Sequence, residues 1–302
     1  IEAVGVEDVA RVAKQYFKPA NRTLARFVPT EAPDRAEIPQ APDVASLVDG
    51  YVGRAAVAAG EAFDPSPANI DARTTKAALS NGTEVALLPK QTRGDTLALN
   101  LQFRFGSIDD VTGRDAAGGM VAAMLSRGTT ERDRAGITRR LDELKPRVSI
   151  NGGSQSVGVG ATTTREHLPE LLALLAEMLR TPAFPEDEFE QLRSQAITGL
   201  EAGRNQPQSV ASRALSRHFS PWPKGHPWYM PTLDESIEEM RGVTLEQVRR
   251  FHVDFHGAGV GEISLVGDFD PQEAMALLEK HFGGWTSPKP YVRLANPAYS
   301  PE

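Results

Sequence analysis

The stretch DTLALNLQFRFGSIDDVTGRDAAGGMVAAMLSRGTT, residues 95–130, joins a strand pattern to a helix pattern within one short segment. Residues 95–107 alternate apolar and polar side chains, as expected for a strand with one buried face. Residues 116–125 then place their apolar side chains at helical spacing, and a glycine follows shortly afterwards. Glycine and alanine dominate this helix, and three small residues are expected to share one of its faces: Gly119, Ala122 and Ala123.

The same two patterns recur along the body of the chain, in separate groups. Asn81-Gly82 lies between two apolar runs, which indicates a hairpin, and two further strands are predicted within residues 147–164. Helix patterns follow, and a buried-strand pattern returns only at residues 261–269, before a final helix that begins at Asp270-Pro271. Hairpins and helices grouped in this way predict an α+β fold: a mostly antiparallel sheet with helices packed on one face.

The composition excludes several classes of function. The 302 residues carry a net charge of −7, so no basic surface for nucleic acid or for an anionic membrane is predicted. No apolar run is long enough to span a bilayer. The absence of cysteine excludes disulfides, thiolate nucleophiles and cysteine-bound zinc. Because the chain begins at Ile1 and not at methionine, we expect it to be a processed or cut piece of a longer protein.

An internal repeat relates the two ends of the chain. VGVEDVARVAKQYFKPANRTLARF, from Val4, aligns with VTLEQVRRFHVDFHGAGVGEISLV, from Val243, and each copy has the pattern of a helix followed by a strand. We therefore interpret residues 1–30 as the end of a preceding domain of the same fold. The other predicted segments are an extended linker at 31–74, a globular body at 75–285 and an open tail at 286–302.

The histidines are the first candidates for a metal site. His252 and His256 lie one helical turn apart and could share a metal ion, but Asp254 faces elsewhere on a helix and cannot complete such a site. The alternative is a helix surface with one ring packed on the sheet. His226, in a proline-rich turn, is expected to be structural, and the NGGS segment at Asn151 is typical of a turn between strands.

The segments around the glycine- and alanine-rich helix resemble the pitrilysin and mitochondrial processing peptidase family of zinc peptidases. The resemblance rests on segments in family order that cover nearly the whole body: LSNGTEVALLPK, FRFGSIDD, MLSRGT, TTTREHLPELLALLAEMLRTPAFPEDEFEQLRSQ, GHPWYMPT and LVGDFDPQE. In the active half of such proteins, an inverted His-x-x-Glu-His motif precedes the phrase that MLSRGT resembles. Its two histidines hold zinc, and its glutamate activates the zinc-bound water.

Aligned on that phrase, this chain has Gly119, Ala122 and Ala123 at the three motif positions, and Gly199 where the family has its third zinc ligand, a glutamate. None of these residues can bind a metal through its side chain or move a proton. The resemblance therefore implies a non-catalytic half, with neither a metal ligand nor a catalytic residue in this chain, and with substrate-binding residues that it does not assign. We also expect Ala122 and Ala123 to pack against the helix that bears Gly199.

The resemblance further implies that residues 75–285 are the third of four domains and that residues 286–302 lead to a fourth domain. Such a half would form chamber wall and substrate-binding surface for a peptide, opposite an active half that holds zinc. The active half would lie in the same polypeptide or in a partner subunit, and this chain alone would be inactive. The alternative is a structural or scaffolding subunit without an associated peptidase. A bacterial, periplasmic location is implied by family resemblance alone.

Overall fold

The computed structural model describes residues 4–26, 29, 31, 51, 59–220, 222–226, 228–289 and 291–293. The chain forms two compact units, residues 1–55 and residues 56–302. Much of the predicted linker, at 32–50 and 52–58, and the end of the predicted tail, at 294–302, lie outside the described residues.

The first unit contains the helix α1, Val6–Tyr16, followed by a short 3₁₀ turn at Pro19–Asn21. Asp8 caps the start of α1, where its carboxylate accepts a hydrogen bond from the backbone N–H of Gly5 at 3.2 Å. No residue of α1 is buried. Its apolar side chains are exposed at helical spacing: Val6, Val9, Val12 and Tyr16.

The second unit is built on one six-stranded sheet. Its strands are β1 (Thr75–Ala78), β2 (Glu84–Pro89), β3 (Thr96–Arg104), β4 (Arg147–Gly152), β5 (Ser156–Thr164) and β6 (Gly261–Gly267). Across the sheet the order is β1-β2-β6-β3-β5-β4. The β2–β6 pair is parallel and the other pairs are antiparallel. The predicted mostly antiparallel sheet is therefore confirmed, but the sheet is mixed. The parallel pair is possible because a long helical connection, and not a hairpin, leads to β6.

The helices of the second unit are α2 (Pro67–Arg73), α3 (Ile108–Val111), α4 (Asp115–Met124), α5 (Arg134–Leu144), α6 (Leu168–Arg180), α7 (Glu186–Gly203), α8 (Pro207–His218), α9 (Leu233–Gly242), α10 (Leu245–Phe255) and α11 (Pro271–Leu278). A π-helical turn at Glu279–Gly283 follows α11. None of the described helices is both long and apolar enough to cross a membrane.

The core lies between one face of the sheet and the helices. Along β3 the side chains of Leu97, Leu99, Leu101 and Phe103 point into it and are at most 3% exposed, while the alternate residues face the other side. They join buried side chains of β2, β5 and β6 and of α4, α6, α10 and α11 in one cluster. Among the described residues, the opposite face of the sheet carries no such layer of buried side chains. The predicted helical layer on one face is present.

The internal repeat coincides with two matching helices. Both α1 and α10 contain 11 residues. Their first residues, Val6 and Leu245, are separated by the same number of positions in the sequence as their last residues, Tyr16 and Phe255. The inward face of α10 is buried through Val248, Phe251 and Phe255. The corresponding positions of α1 are those of its exposed apolar face: Val9, Val12 and Tyr16.

The described part of the predicted linker is not extended throughout. Residues 67–73 form α2, because the Ser66 side chain accepts the N–H of Asn69 and Pro67 is preorganised for the first helical turn. Arg73 of this helix pairs with Glu61 at 2.5 Å and lies over the ring of Phe63. This part of the segment belongs to the second unit.

The predicted open tail also needs correction. The described residues 285–289 and 291–293, here called the C-terminal strap, bind the body through several hydrogen bonds. Ser287 Oγ donates to the Phe255 carbonyl at 2.5 Å, and the Val292 N–H donates to the Gly106 carbonyl at 3.0 Å. The strap passes directly over Gly257, where a Cβ would lie 2.0 Å from the Ser287 nitrogen. Only glycine permits this approach, which composition and periodicity do not indicate.

Candidate functional site at the glycine- and alanine-rich helix

The candidate site is centred on α4, which lies beside the edge strand β4 and contacts α7 and α10. Its two sides differ. Gly118 and Ala122, here called the inner face, are buried, whereas Gly119 is partly exposed and Ala123 is exposed; these two residues are called the outer face. The two positions of each pair lie four residues apart, so each pair is stacked along the helix.

The inner face makes the close contacts. A Cβ at Gly118 would lie 2.7 Å from the carbonyl oxygen of Gly153, and a Cβ at Gly152 would lie 3.0 Å from the Cβ of Ala122. The small residues on this side therefore allow the helix to approach the end of β4 and the turn that follows it.

The outer face does not pack as expected. A Cβ placed at Gly119 or at Gly199 would meet no atom of the described residues within 4 Å, apart from its chain neighbours and the backbone of its own helix, and both Ala123 and Gly199 are exposed. The prediction that Ala123 packs against the helix of Gly199 is wrong, because both residues are exposed, whereas Ala122 is buried and lies beside Gly152. Although α4 and α7 are in contact, Ala122 faces β4 and Ala123 faces solvent, because adjacent residues on a helix point in directions about 100° apart.

The side chains at the four positions that the resemblance aligns with the family's motif, Gly119, Ala122, Ala123 and Gly199, could neither bind a metal nor transfer a proton. Of these residues, Ala122 lies against the sheet. Within the described ranges, no three histidine, cysteine, aspartate or glutamate side chains converge in a way that could hold a metal ion. The chemistry of an inverted zinc motif therefore has no donor set among these side chains.

A cleft of about 490 Å³ opens at the start of α4, between this helix and the α9–α10 junction. Asp115 lines it one turn before Gly119, and Glu239 lines it from α9. Partial burial raises the pKa of the Asp115 carboxyl, and burial together with the negative charge of Asp115 raises the pKa of Glu239. Sequence reasoning missed this pair, for which the only local signal was an acidic residue in the first turn of α4.

His252 and His256 are close together but enclosed. Their ring centroids are 4.8 Å apart, and Nε2 of His252 donates to the carbonyl oxygen of Leu179 at 2.8 Å. His256 is 4% exposed and stacks on Phe105. Burial lowers the pKa of both imidazoles, and for His256 the neighbouring His252 lowers the pKa further. The geometry favours the expectation of a ring packed in the fold.

The other candidate segments have structural roles. Asp254 faces Arg250, with 3.5 Å between the two charged groups. The ring of His226 stacks on Trp222 at 4.2 Å, and its Nδ1 accepts the backbone N–H of Trp228. The NGGS segment leads from β4 into β5 as the predicted turn.

The face of the sheet away from the helices, here called the open sheet face, forms a shallow groove of about 850 Å³ across β1, β2, β6 and β3. Small side chains, Ala86 and Ser264, line its centre beside Asn100. Charges of both signs lie at one end, where Arg104 pairs with Glu262 at 2.9 Å. Lys76 and Glu84 also line the groove on its β1–β2 side, whereas its central row, Ala86, Ser264 and Asn100, is uncharged.

Comparison with known proteins matches two parts of the chain to one peptidase family. Residues 85–232 match the family model described as insulinase (peptidase family M16), and residues 242–301 match the peptidase M16 inactive domain. The zinc protease PqqE of Helicobacter pylori is 22% identical over 225 residues, which cover 71% of this chain and 49% of that protein. The chain thus spans about half the length of this curated relative.

Solved structures share the fold. A peptidase M16 inactive domain from Pseudomonas fluorescens has a TM-score of 0.63 at 21% identity, over 74% of this chain and 54% of that one. The periplasmic protease PqqL of Escherichia coli has a TM-score of 0.61 at 18% identity, over 79% of this chain and 26% of that one. The resemblance in the sequence is confirmed: this chain belongs to peptidase family M16, and its C-terminal part matches the inactive domain of that family.

Proposed function

We propose that this chain is a non-catalytic part of a zinc metalloendopeptidase of family M16. The observation that carries the proposal is the outer face of α4. Gly119 and Ala123 have the one-turn spacing of the family's two zinc-binding histidines, and the space beside Gly119 is open, yet neither residue offers a ligand. Zinc and the peptide-hydrolysing groups then belong to an active half, in the same polypeptide or in a partner subunit.

The open sheet face supports a role as chamber wall and substrate-binding surface opposite the active half. In the part of the chain that the structure describes, no helix lines this broad groove, and its central side chains are short and uncharged. A surface of this kind tolerates peptides of varied sequence, because no buried charge on it demands a partner. Shape and hydrogen bonding would then determine which extended peptides fit.

The matched helices support the proposed domain order. In α10 the apolar face is buried by the sheet and its neighbouring helices, whereas in α1 the corresponding face is exposed. We propose that residues 1–30 end a preceding domain of the same fold, which would cover that face as the body covers α10. Residues 31–74 would then connect the two halves, residues 75–285 would form the third domain, and residues 286–302 would lead to a fourth.

The first test is metal content and activity of the chain as it stands. After dialysis against zinc and removal of the excess, we expect elemental analysis to find far less than one zinc per chain. A fluorogenic peptide should remain uncleaved. One tightly held zinc per chain would contradict the proposal and would direct attention to His252 and His256.

A second test examines the alignment of the motif. The triple variant Gly119→His, Ala123→His, Gly199→Glu restores the three ligands and leaves the buried Ala122 untouched. We expect it to bind about one zinc ion and to gain thermal stability when zinc is added, without becoming a peptidase, because the general base and the surrounding support groups are still missing. The control is the variant Gly119→His alone. A triple variant that folds but binds no more zinc than this control would show that the positions are misaligned.

A scaffolding subunit without an associated peptidase is the alternative, and it predicts the same metal analysis. The two are distinguished by the partner, since an intact His-x-x-Glu-His motif in the rest of the polypeptide or in a co-purifying subunit favours the peptidase. A periplasmic location is proposed from the likeness to the periplasmic protease PqqL.

A further inference from the structure

His256 is enclosed by aromatic rings, and one of its ring nitrogens makes no hydrogen bond with the described residues. Its Nδ1 is buried and has no partner among the described residues. The ring stacks on Phe105 with centroids 4.9 Å apart, and Phe251 approaches at 6.3 Å. A neutral imidazole is compatible with this pocket, whereas an imidazolium would bring an unpaired charge into it.

The residues that form this pocket also hold the C-terminal strap. Phe255 and Gly257, on either side of His256, both contact Ser287. The Phe255 carbonyl accepts a hydrogen bond from the Ser287 hydroxyl, and Gly257, which has no Cβ, leaves room for the Ser287 backbone. The backbone of Gly106, next to Phe105, makes two hydrogen bonds with the strap. Its N–H donates to the Lys289 carbonyl, and its carbonyl accepts from the Val292 N–H. The residues that anchor the strap are therefore sequence neighbours of His256 and of the ring on which it stacks.

The charged surroundings leave His256 without a counter-ion. His252, 4.8 Å away, is the titratable group whose charge acts on it, and it is a second base rather than an acid. Several charged side chains on the surrounding elements have partners of their own: Asp254 pairs with Arg250, Asp110 with Lys289 and Arg104 with Glu262, Arg180 bonds the His281 carbonyl, Arg249 bonds the Phe184 carbonyl, and Arg114 lies over Phe255. Glu246 of α10 and Asp109 of α3 are the remaining acidic groups on α10 and α3, and among the described residues no carboxylate bonds Nδ1 of His256.

We propose that His256 couples attachment of the C-terminal strap to pH: the neutral ring holds the strap on the body, and a protonated ring releases it. Release of the strap from Phe255 and Gly257 frees the backbone on both sides of His256, so that an imidazolium can turn toward water. Burial lowers the pKa of both histidines below the ordinary value of 6.5. Attachment is therefore complete above pH 6.5 and weakens as the pH falls below it, because the released state binds protons more readily.

The test is hydrogen exchange of the full chain, read by mass spectrometry between pH 7.5 and pH 5 and corrected for the intrinsic rate. We expect strap peptides covering residues 285–293 to lose about tenfold or more in protection at the acidic end, since pH 5 lies more than one unit below the ordinary histidine value of 6.5 and each unit corresponds to a factor of up to ten. Peptides of β3 and β5 should keep their protection against exchange over the same pH range. Equal loss in strands and strap would indicate global unfolding and would overturn the proposal.

Two variants assign the effect to the pocket. His256→Phe keeps an aromatic ring on Phe105 but cannot be protonated, so its strap should remain protected at pH 5. The side chain of His252→Gln can still donate to the Leu179 carbonyl, but it carries no charge that lowers the pKa of His256. The strap of this variant should therefore be released at a higher pH than the strap of the parent. The matched control is His281→Gln, which should respond to acid as the parent does. The proposal fails if His256→Phe releases the strap as the parent does or, should that variant not fold, if His252→Gln leaves the release pH unchanged.

Discussion

The two faces of α4 use the same small residues under opposite constraints. On the inner face, Gly118 and Ala122 lie so close to Gly153 and Gly152 that added atoms would collide. On the outer face, Gly119 has free space around it and Ala123 is exposed. Small size is a steric requirement on one side. On the other side no contact requires it, which is consistent with the absence of a functional side chain.

The difference teaches that a glycine- and alanine-rich helix cannot be interpreted as one surface. A single explanation, close packing on the neighbouring helix, accounts for the composition of α4 but not for its geometry. The contacts assign packing to the side that faces β4. For the outer face, we propose that the zinc-binding side chains of the family's active half are absent. Substitutions at neighbouring positions can therefore separate the two constraints, because each inner residue has an outer residue next to it in the sequence.

The largest effect is expected for Ala122→Leu. Its added carbons would enter the space occupied by β4, where a Cβ at Gly152 would already lie 3.0 Å from the Ala122 side chain. Overpacking of this kind costs about 1–3 kcal/mol. Urea unfolding followed by circular dichroism would measure it as a lower midpoint. An unchanged midpoint would show that the inner face has room and would remove the contrast between the faces.

Gly118→Ala should destabilise the protein by about 1 kcal/mol. The new methyl group would lie 2.7 Å from the Gly153 carbonyl oxygen and 3.0 Å from the ring of Phe251, and the strain outweighs the gain in helix propensity. The same urea titration applies. A more stable variant would mean that the turn at Gly153 moves aside without cost.

Gly119→Ala, one residue along, should have the opposite sign. Its methyl group meets no atom within 4 Å, so the higher helix propensity of alanine should stabilise the protein by about 0.5–1 kcal/mol. Gly199→Ala, on the exposed side of α7, is expected to behave alike and provides an independent comparison. Destabilisation by Gly119→Ala would show that this position is packed in solution.

Ala123→Leu should have the smallest effect, within about 0.5 kcal/mol of the parent, because an exposed position accepts a larger side chain without a change in packing. Paired with Ala122→Leu, it applies the same chemical change to adjacent residues. Thermal unfolding measured for both variants in one buffer gives the difference directly. Similar losses in both would contradict the division into two faces.

The sequence predicts the sheet better than it predicts this helix. Alternation in residues 95–107 identifies β3 and its buried face, and the repeat identifies α1 and α10, because in each case large apolar side chains mark the side that leaves water. In α4 glycine and alanine mark neither side, so only tertiary contacts distinguish Gly118 from Gly119. The strap could not be predicted, because its attachment combines backbone hydrogen bonds, the Ser287 hydroxyl, the Lys289–Asp110 ion pair and the space left by Gly257, none of which gives a periodic signal in the sequence.

The position of β6 determines when the sheet can be completed during synthesis. This strand is the last of the six to leave the ribosome, yet it lies between β2 and β3. Until it is made, the β1–β2 hairpin and the β3–β5–β4 group have no sheet contact with each other, and each exposes an unpaired edge. A nascent chain halted before residue 261 therefore holds two incomplete sheets, open to chaperones and to mispairing. The sheet of this domain is therefore completed only after its last strand, β6, has been synthesised.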